Sequence, residues 1–198
     1  MALQRVRSPE LEHDVGRTPN LGYEPAGTYG FVRFLEHGFP NPLVRWHYHE
    51  EYELHLIVAT RGKVFVGDYI GQFEPGHLVL TGPRLPHNWI STEVPEGGVA
   101  LRDMVLQFAD APLRQAAAQI PELAEALPLL ERARYGIEFF GLSERMRERI
   151  TRVKQLHGLQ RFAEFTELLG ELAGSNDYRL LSTVQLQSFD DDAALARI

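Results

Sequence analysis

The segment His47-Tyr48-His49-Glu50-Glu51-Tyr52-Glu53 sets two histidines one residue apart, with a glutamate four further on. Successive side chains of an extended strand point to opposite faces, so positions 47, 49 and 53 are expected to share one face. A further histidine, His87, follows the turn Pro75-Gly76. Three neutral imidazoles and a carboxylate make a mixed nitrogen and oxygen set that suits a first-row divalent ion such as zinc, nickel, manganese or iron. A single histidine near a strand end is commonly just half-exposed and hydrogen-bonded. Three potential ligands on one face with a fourth downstream favour His47, His49, Glu53 and His87 as a metal site. A polar pocket that uses the same histidines on an organic ligand is the competing expectation.

These residues need rigid strands to aim them. From 28 to about 108 the chain alternates short extended runs with turn residues. Strands are expected at 29–36, 43–49, 52–59, 63–66, 69–73, 77–81, 87–92 and 99–108. Breaks fall at 38–42, Arg61-Gly62, Gly67-Asp68, 74–76, Gly82-Pro83 and 95–98. Closely spaced strands without intervening helical periodicity predict an all-β sandwich or barrel. Beyond Ala109 the periodicity becomes helical, at 112–118 and 121–134, where Pro121 and Pro128 break or kink the run. A short extended return at 135–141 leads to a helix from an N-cap at Ser143 to a stop at His157-Gly158, then to a second helix over 159–173. Met146, Ile150 and Val153 form one stripe, and Phe162, Phe165, Leu168, Leu169 and Leu172 a wider one. The expected divisions are an arm over 1–27, a barrel over 28–110, a helical hairpin subdomain over 111–185 and a linker over 186–198.

At 198 residues the chain is long enough for one sizeable core. A hydrophobic fraction of 44% is that of an ordinary globular protein. No apolar run is long enough to span a bilayer, and the N-terminal residues lack the apolar stretch of a secretory signal. Cysteine is absent, which removes disulfides and thiolate ligands and is compatible with a cytoplasmic location. Net charge is −7 with no dense basic cluster, so sequence-specific DNA or RNA binding by this chain itself is not expected.

The ligand candidates also carry a resemblance. His47-Tyr48-His49 with Glu53 resembles the first cupin motif, and Phe73-Glu74-Pro75-Gly76 through Leu85-Pro86-His87 resembles the second. Thr60 stands where the first motif's glycine would fall, with Gly62 just after, and the second motif is widened between Gly76 and His87. The stretch from Trp46 to Trp89, with Leu106-Gln107-Phe108 and the helical hairpin, is similar to the sensor domain of AraC-type transcription regulators. The similarity covers about 28–181. It implies a mainly β fold with α-helices: a cupin-like double-stranded β-helix, or jelly-roll, barrel followed by a C-terminal helical hairpin. It further implies an effector-sensing and dimerising domain binding a small molecule, a sugar or sugar acid being the family-level guess, without catalysis. DNA would be reached only through a helix-turn-helix half that the chain does not contain, since its end falls where the linker to that half would lie.

Strand parity nominates Arg45 and His55, on the face of His47, and Trp89, on that of His87, as ligand contacts, with Gln107 from the last strand. Arg45 would clamp a carboxylate or phosphate, and Trp89 would stack on a ring. A metal-dependent isomerase or dioxygenase on the same barrel is the alternative, because fold alone does not fix function. A purely structural dimerisation module is a third. The stripe of Phe162, Phe165, Leu169 and Leu172 is expected to form the seam of a homodimer.

Overall fold

A computed structural model describes residues 9–11, 32–41 and 44–183. Eleven strands are described: β1 (Glu10–Leu11), β2 (Val32–Phe39), β3 (His47–Tyr48), β4 (Glu51–Ile57), β5 (Arg61–Val66), β6 (Tyr69–Phe73), β7 (Leu78–Thr81), β8 (His87–Glu93), β9 (Val99–Ala109), β10 (Ile137–Phe139) and β11 (Tyr178–Leu180). The helices are α1 (Asp110–Ala117), α2 (Pro121–Ala124), α3 (Leu127–Ala133), α4 (Ser143–Gln155) and α5 (Gly158–Gly174). The protein is mainly β with helices following. One sheet has the order β1-β3-β8-β5-β6 and the other β11-β10-β7-β4-β9-β2.

Alternation along β4 sets the layers. Tyr52, Leu54 and Leu56 point one way, where they join Leu78 and Leu80 of β7 and Leu106 and Phe108 of β9. The helices cover that face with Met146, Ile150 and Val153 of α4 and Phe165, Leu168, Leu169 and Leu172 of α5. Each such side chain contributes about 1.5–3 kcal/mol on burial. Ile57 of β4 and Val79 of β7 point the other way, against Val64, Val66, Phe73 and Trp89 of the five-stranded sheet. Glu53 and His55 share this inter-sheet side, so the sequence's period of two delivers both the apolar core and the polar site.

Several expectations need correction. Positions 47, 49 and 53 do not lie on one strand: β3 belongs to one sheet and β4 to the other, with the chain crossing between them at His49-Glu50. The helical run expected over 121–134 is divided into α2 and α3 with Pro128 at the start of α3, the break expected of that proline. Ser143 is the first residue of α4, whose cap position is Leu142 with no side-chain cap bond. His157 and Gly158 open α5 instead of closing α4, which ends at Gln155. Of the four residues expected at a dimer seam, Phe165, Leu169 and Leu172 are at most 2% exposed and packed into the core, while Phe162 is half-buried, so the stripe as a whole is not an open seam. The expected linker over 186–198, most of the arm over 1–27, and positions 29–31 and 43 of the expected strands lie outside the described residues. β10 and β11 join the six-stranded sheet, so helices and strands share one core.

The displaced glycine has a structural counterpart. Thr60 adopts φ +72°, the left-handed conformation a glycine takes without strain. Its hydroxyl is hydrogen-bonded to that of Ser91 at 2.8 Å, which holds the β-branched residue in this turn.

Candidate metal and ligand site

Three histidines converge from different elements. His47 on β3 is the register partner of His87 on β8, and His49 follows immediately at the crossing between sheets. The main-chain carbonyl of His49 accepts the Arg84 N–H at 2.7 Å, and that of Pro86 accepts the Gly67 N–H at 2.8 Å, so both ligand-bearing turns are pinned. One nitrogen from each of His47, His49 and His87 lies within 4.8 Å of the other two. His47 is half-buried, His49 and His87 fully buried.

Main-chain acceptors fix the tautomers. His47 Nδ1 meets the Arg45 carbonyl at 2.7 Å, His49 Nδ1 the Glu51 carbonyl at 3.1 Å and His87 Nδ1 the Leu85 carbonyl at 2.8 Å. A carbonyl only accepts, so each Nδ1 carries the proton and each neutral ring is left with a lone pair on Nε2. Glu53 faces two of those lone pairs, with His49 Nε2 at 3.1 Å and His87 Nε2 at 3.6 Å from its carboxylate oxygens. The buried His87 Nε2 has no hydrogen-bond partner among the described residues. Opposed acceptors at such distances call for a cation or an added proton between them. The residues therefore fit a divalent ion held by nitrogen with a carboxylate beside it.

Glu53 is also tied from its other sides. Gln107 donates Nε2–H to it at 2.8 Å, and His55 donates Nδ1–H at 3.0 Å. Burial alone would raise its pKa, but the neighbouring imidazoles of His49 and His55 outweigh that and hold it well below the ordinary carboxylate range. Burial pushes His87 well below the usual imidazole value, reinforced by the neighbouring His47, which keeps its ring available as a neutral ligand.

Beyond Glu53 lies a charged network that sequence reasoning missed. His55 Nε2 stands 3.3 Å from Asp103, which also accepts from His37 Nδ1 at 2.9 Å and from Arg102 Nε at 2.7 Å. Burial lowers the His55 pKa, yet Asp103 and Glu53 on either side raise it overall to about 8. Asp103, fully buried, is driven far below its usual range because His55, His37 and Arg102 overcome the burial penalty. Parity held the signal: Asp103 and Gln107 are four apart on β9, so they share a face.

A cavity of about 40 Å³ adjoins the cluster, lined by His47, Glu53, His55, Trp89, Asp103 and Gln107 among others. That is room for a few water-sized groups. Three nominated ligand contacts, His55, Trp89 and Gln107, therefore do reach it. Arg45 does not line it. Its guanidinium lies 3.9 Å from Glu10 of β1, which pairs alongside β3.

No family model matches the chain, and no curated protein matches it. No helix of the described residues is long and apolar enough to cross a membrane.

Proposed function

We propose that this chain is a metal-dependent small-molecule sensor: a cupin-like jelly-roll barrel serving as the effector-binding half of an AraC-type transcription regulator. The observation that carries it is the convergence of His47, His49 and His87 on one another, with Glu53 beside the Nε2 atoms of His49 and His87. His47, His49 and His87 would hold the ion, with Glu53 as fourth ligand or as their orienting partner. A divalent ion held there supplies open coordination positions and Lewis acidity to an oxygen donor. Gln107 and His55 fix the Glu53 carboxylate, while Asn88, Arg102 and Trp89 shape the adjoining wall. The cavity's size favours a compact oxygen-donor ligand such as a short carboxylate; a sugar or sugar acid would require its walls to widen.

One end of the described residues touches a ligand-bearing strand, and the other reaches the turn that follows β5, the neighbour of His87-bearing β8. Glu10 of the arm is the register partner of His47, and its N–H is donated to the Trp46 carbonyl at 3.1 Å. Asp68, in the turn after the Val66–His87 register pair, accepts from Ser182 at 2.7 Å and from the Thr183 N–H at 2.9 Å. A ligand that binds one arrangement of these tethers better than another shifts their population.

A second reading, a metal-dependent enzyme, is favoured by the buried His55–Asp103 pair beside Glu53, an acid and base already aimed at the cavity. Amide exchange and product analysis on metal-loaded protein with acetate, oxalate or citrate separate the two. Slowed exchange at Glu10 with the carboxylate recovered unchanged supports the sensor. Conversion of the carboxylate supports the enzyme.

A further inference from the structure

The sandwich carries a second polar site that the metal cluster does not use. A groove of about 640 Å³ runs between β5, β6, the turn before β7 and the segment leading into α4, with His77 and Glu138 among its lining residues. His77 is 8% exposed and Glu138 7%. Trp89 donates its indole N–H to His77 Nδ1 at 3.3 Å, so the neutral ring carries its own proton on Nε2. Burial, with His55 and Arg179 adding to it, lowers the His77 pKa to about 3 and keeps the ring neutral. That Nε2 has no hydrogen-bond partner among the described residues. Glu138 Oε1 is 3.6 Å from it, beyond a hydrogen bond. Arg179 donates to the other carboxylate oxygen at 2.6 Å and so fixes how Glu138 is turned.

A buried donor and a buried acceptor side by side define a chemical complement. A group that accepts from the imidazole N–H while donating to the carboxylate satisfies both, and a hydroxyl does this. An ammonium would set its own protons against the imidazole N–H, and a carboxylate would meet the charge of Glu138. The rim carries both signs, with Arg61 3.5 Å from Glu74 and Lys63 and Glu93 also lining the groove, so it does not select a charged ligand. Gln72, Thr92 and Ser143 add polar side chains around the groove, and Phe140, 39% exposed, offers a ring for a carbon skeleton.

We propose that this groove binds an uncharged polyol, one hydroxyl or a vicinal pair bridging His77 Nε2–H and Glu138 Oε1 while the carbon chain lies against Phe140. The site is separate from the metal cluster, and its occupancy does not depend on a bound ion.

The test is a nuclear magnetic resonance titration of the full, isotope-labelled, chelator-treated chain with glycerol, xylose and sorbitol in turn, up to high millimolar concentration. At least one polyol should shift the His77 Nε2 resonance together with amides of 72–76 and 138–143. His77→Phe should abolish the response, and Glu138→Gln should weaken it about tenfold, the loss of one good hydrogen bond. Should His77→Phe fail to fold, the wild-type shift map and Glu138→Gln carry the decision. No shift with any of the three, a response undiminished by either variant, or shifts confined to the cavity around Gln107 would each overturn the proposal.

Discussion

The indole of Trp89 lies against the imidazole of His55, with 4.0 Å between ring centroids and 24° between planes. The same indole donates its N–H to His77, so one side chain stands between the metal cavity and the groove. Trp89→Ala should lower stability by about 3–5 kcal/mol through lost burial and the cavity it leaves. Trp89→Phe keeps a ring and should lose about 1 kcal/mol, for the hydrogen bond to His77. Urea unfolding with unchanged slope measures both, and equal losses would show that packing against His55 is not the main contribution.

Asp103 holds together three basic side chains in the interior, His37, His55 and Arg102. Asp103→Ala strands buried positive charge and should cost about 3–5 kcal/mol. Replacing the adjacent pair together, Arg102→Met with Asp103→Leu, should cost less than Asp103→Ala alone, because the Arg102 charge leaves with its partner. Chemical denaturation of the two variants makes the comparison.

The apolar face of α5 gives a prediction opposite in sense to the sequence expectation. Leu169 is 2% exposed within the core, so Leu169→Glu should unfold the protein, not merely dissociate a dimer. Leu159, 85% exposed, should accept glutamate within about 0.5 kcal/mol. Thermal melts and sedimentation together check this pair; a folded monomer from Leu169→Glu would restore α5 as a subunit seam.

Asp68 should make stability acid-sensitive. Hydrogen bonds from Thr183 and Ser182 lower its pKa from 3.8 to about 2. A depressed carboxylate pKa stabilises the folded state fully above the unfolded value and loses that contribution as pH falls through the folded one. The gap in Tm between wild type and Asp68→Asn should therefore narrow as pH drops from about 4 towards 2. Asp68 is exposed to solvent, so the gap itself is expected to be small. A gap that widens on acidification would contradict these hydrogen bonds.

Much of this was legible in the residues. Turn chemistry and alternation located β4 to β9 within a few positions, and the spacing of Met146, Ile150 and Val153 fixed the buried face of α4. What spacing could not tell is which sheet a strand joins. His47 and Glu53 look like neighbours on one strand yet belong to different sheets and line the same cavity from them. The breadth of the α5 stripe was visible too, but not that the six-stranded sheet was wide enough to cover it. Asp103 escaped notice because a buried carboxylate is identified by its partners, and His37 and His55 meet it only through the pairing of β2 and β4 with β9.

The central claim is that three imidazole lone pairs and Glu53 form a binding site for a divalent ion. Metal analysis of purified protein, followed by titration of chelator-treated protein with zinc and nickel, tests it most directly. Wild type should take up one equivalent with a rise in Tm, by the linkage of binding to folding. His47→Ala with His49→Ala should take up none while remaining folded, and Glu53→Gln should bind more weakly. Equal, substoichiometric metal in wild type and the double variant, with no rise in Tm for either, would contradict the account.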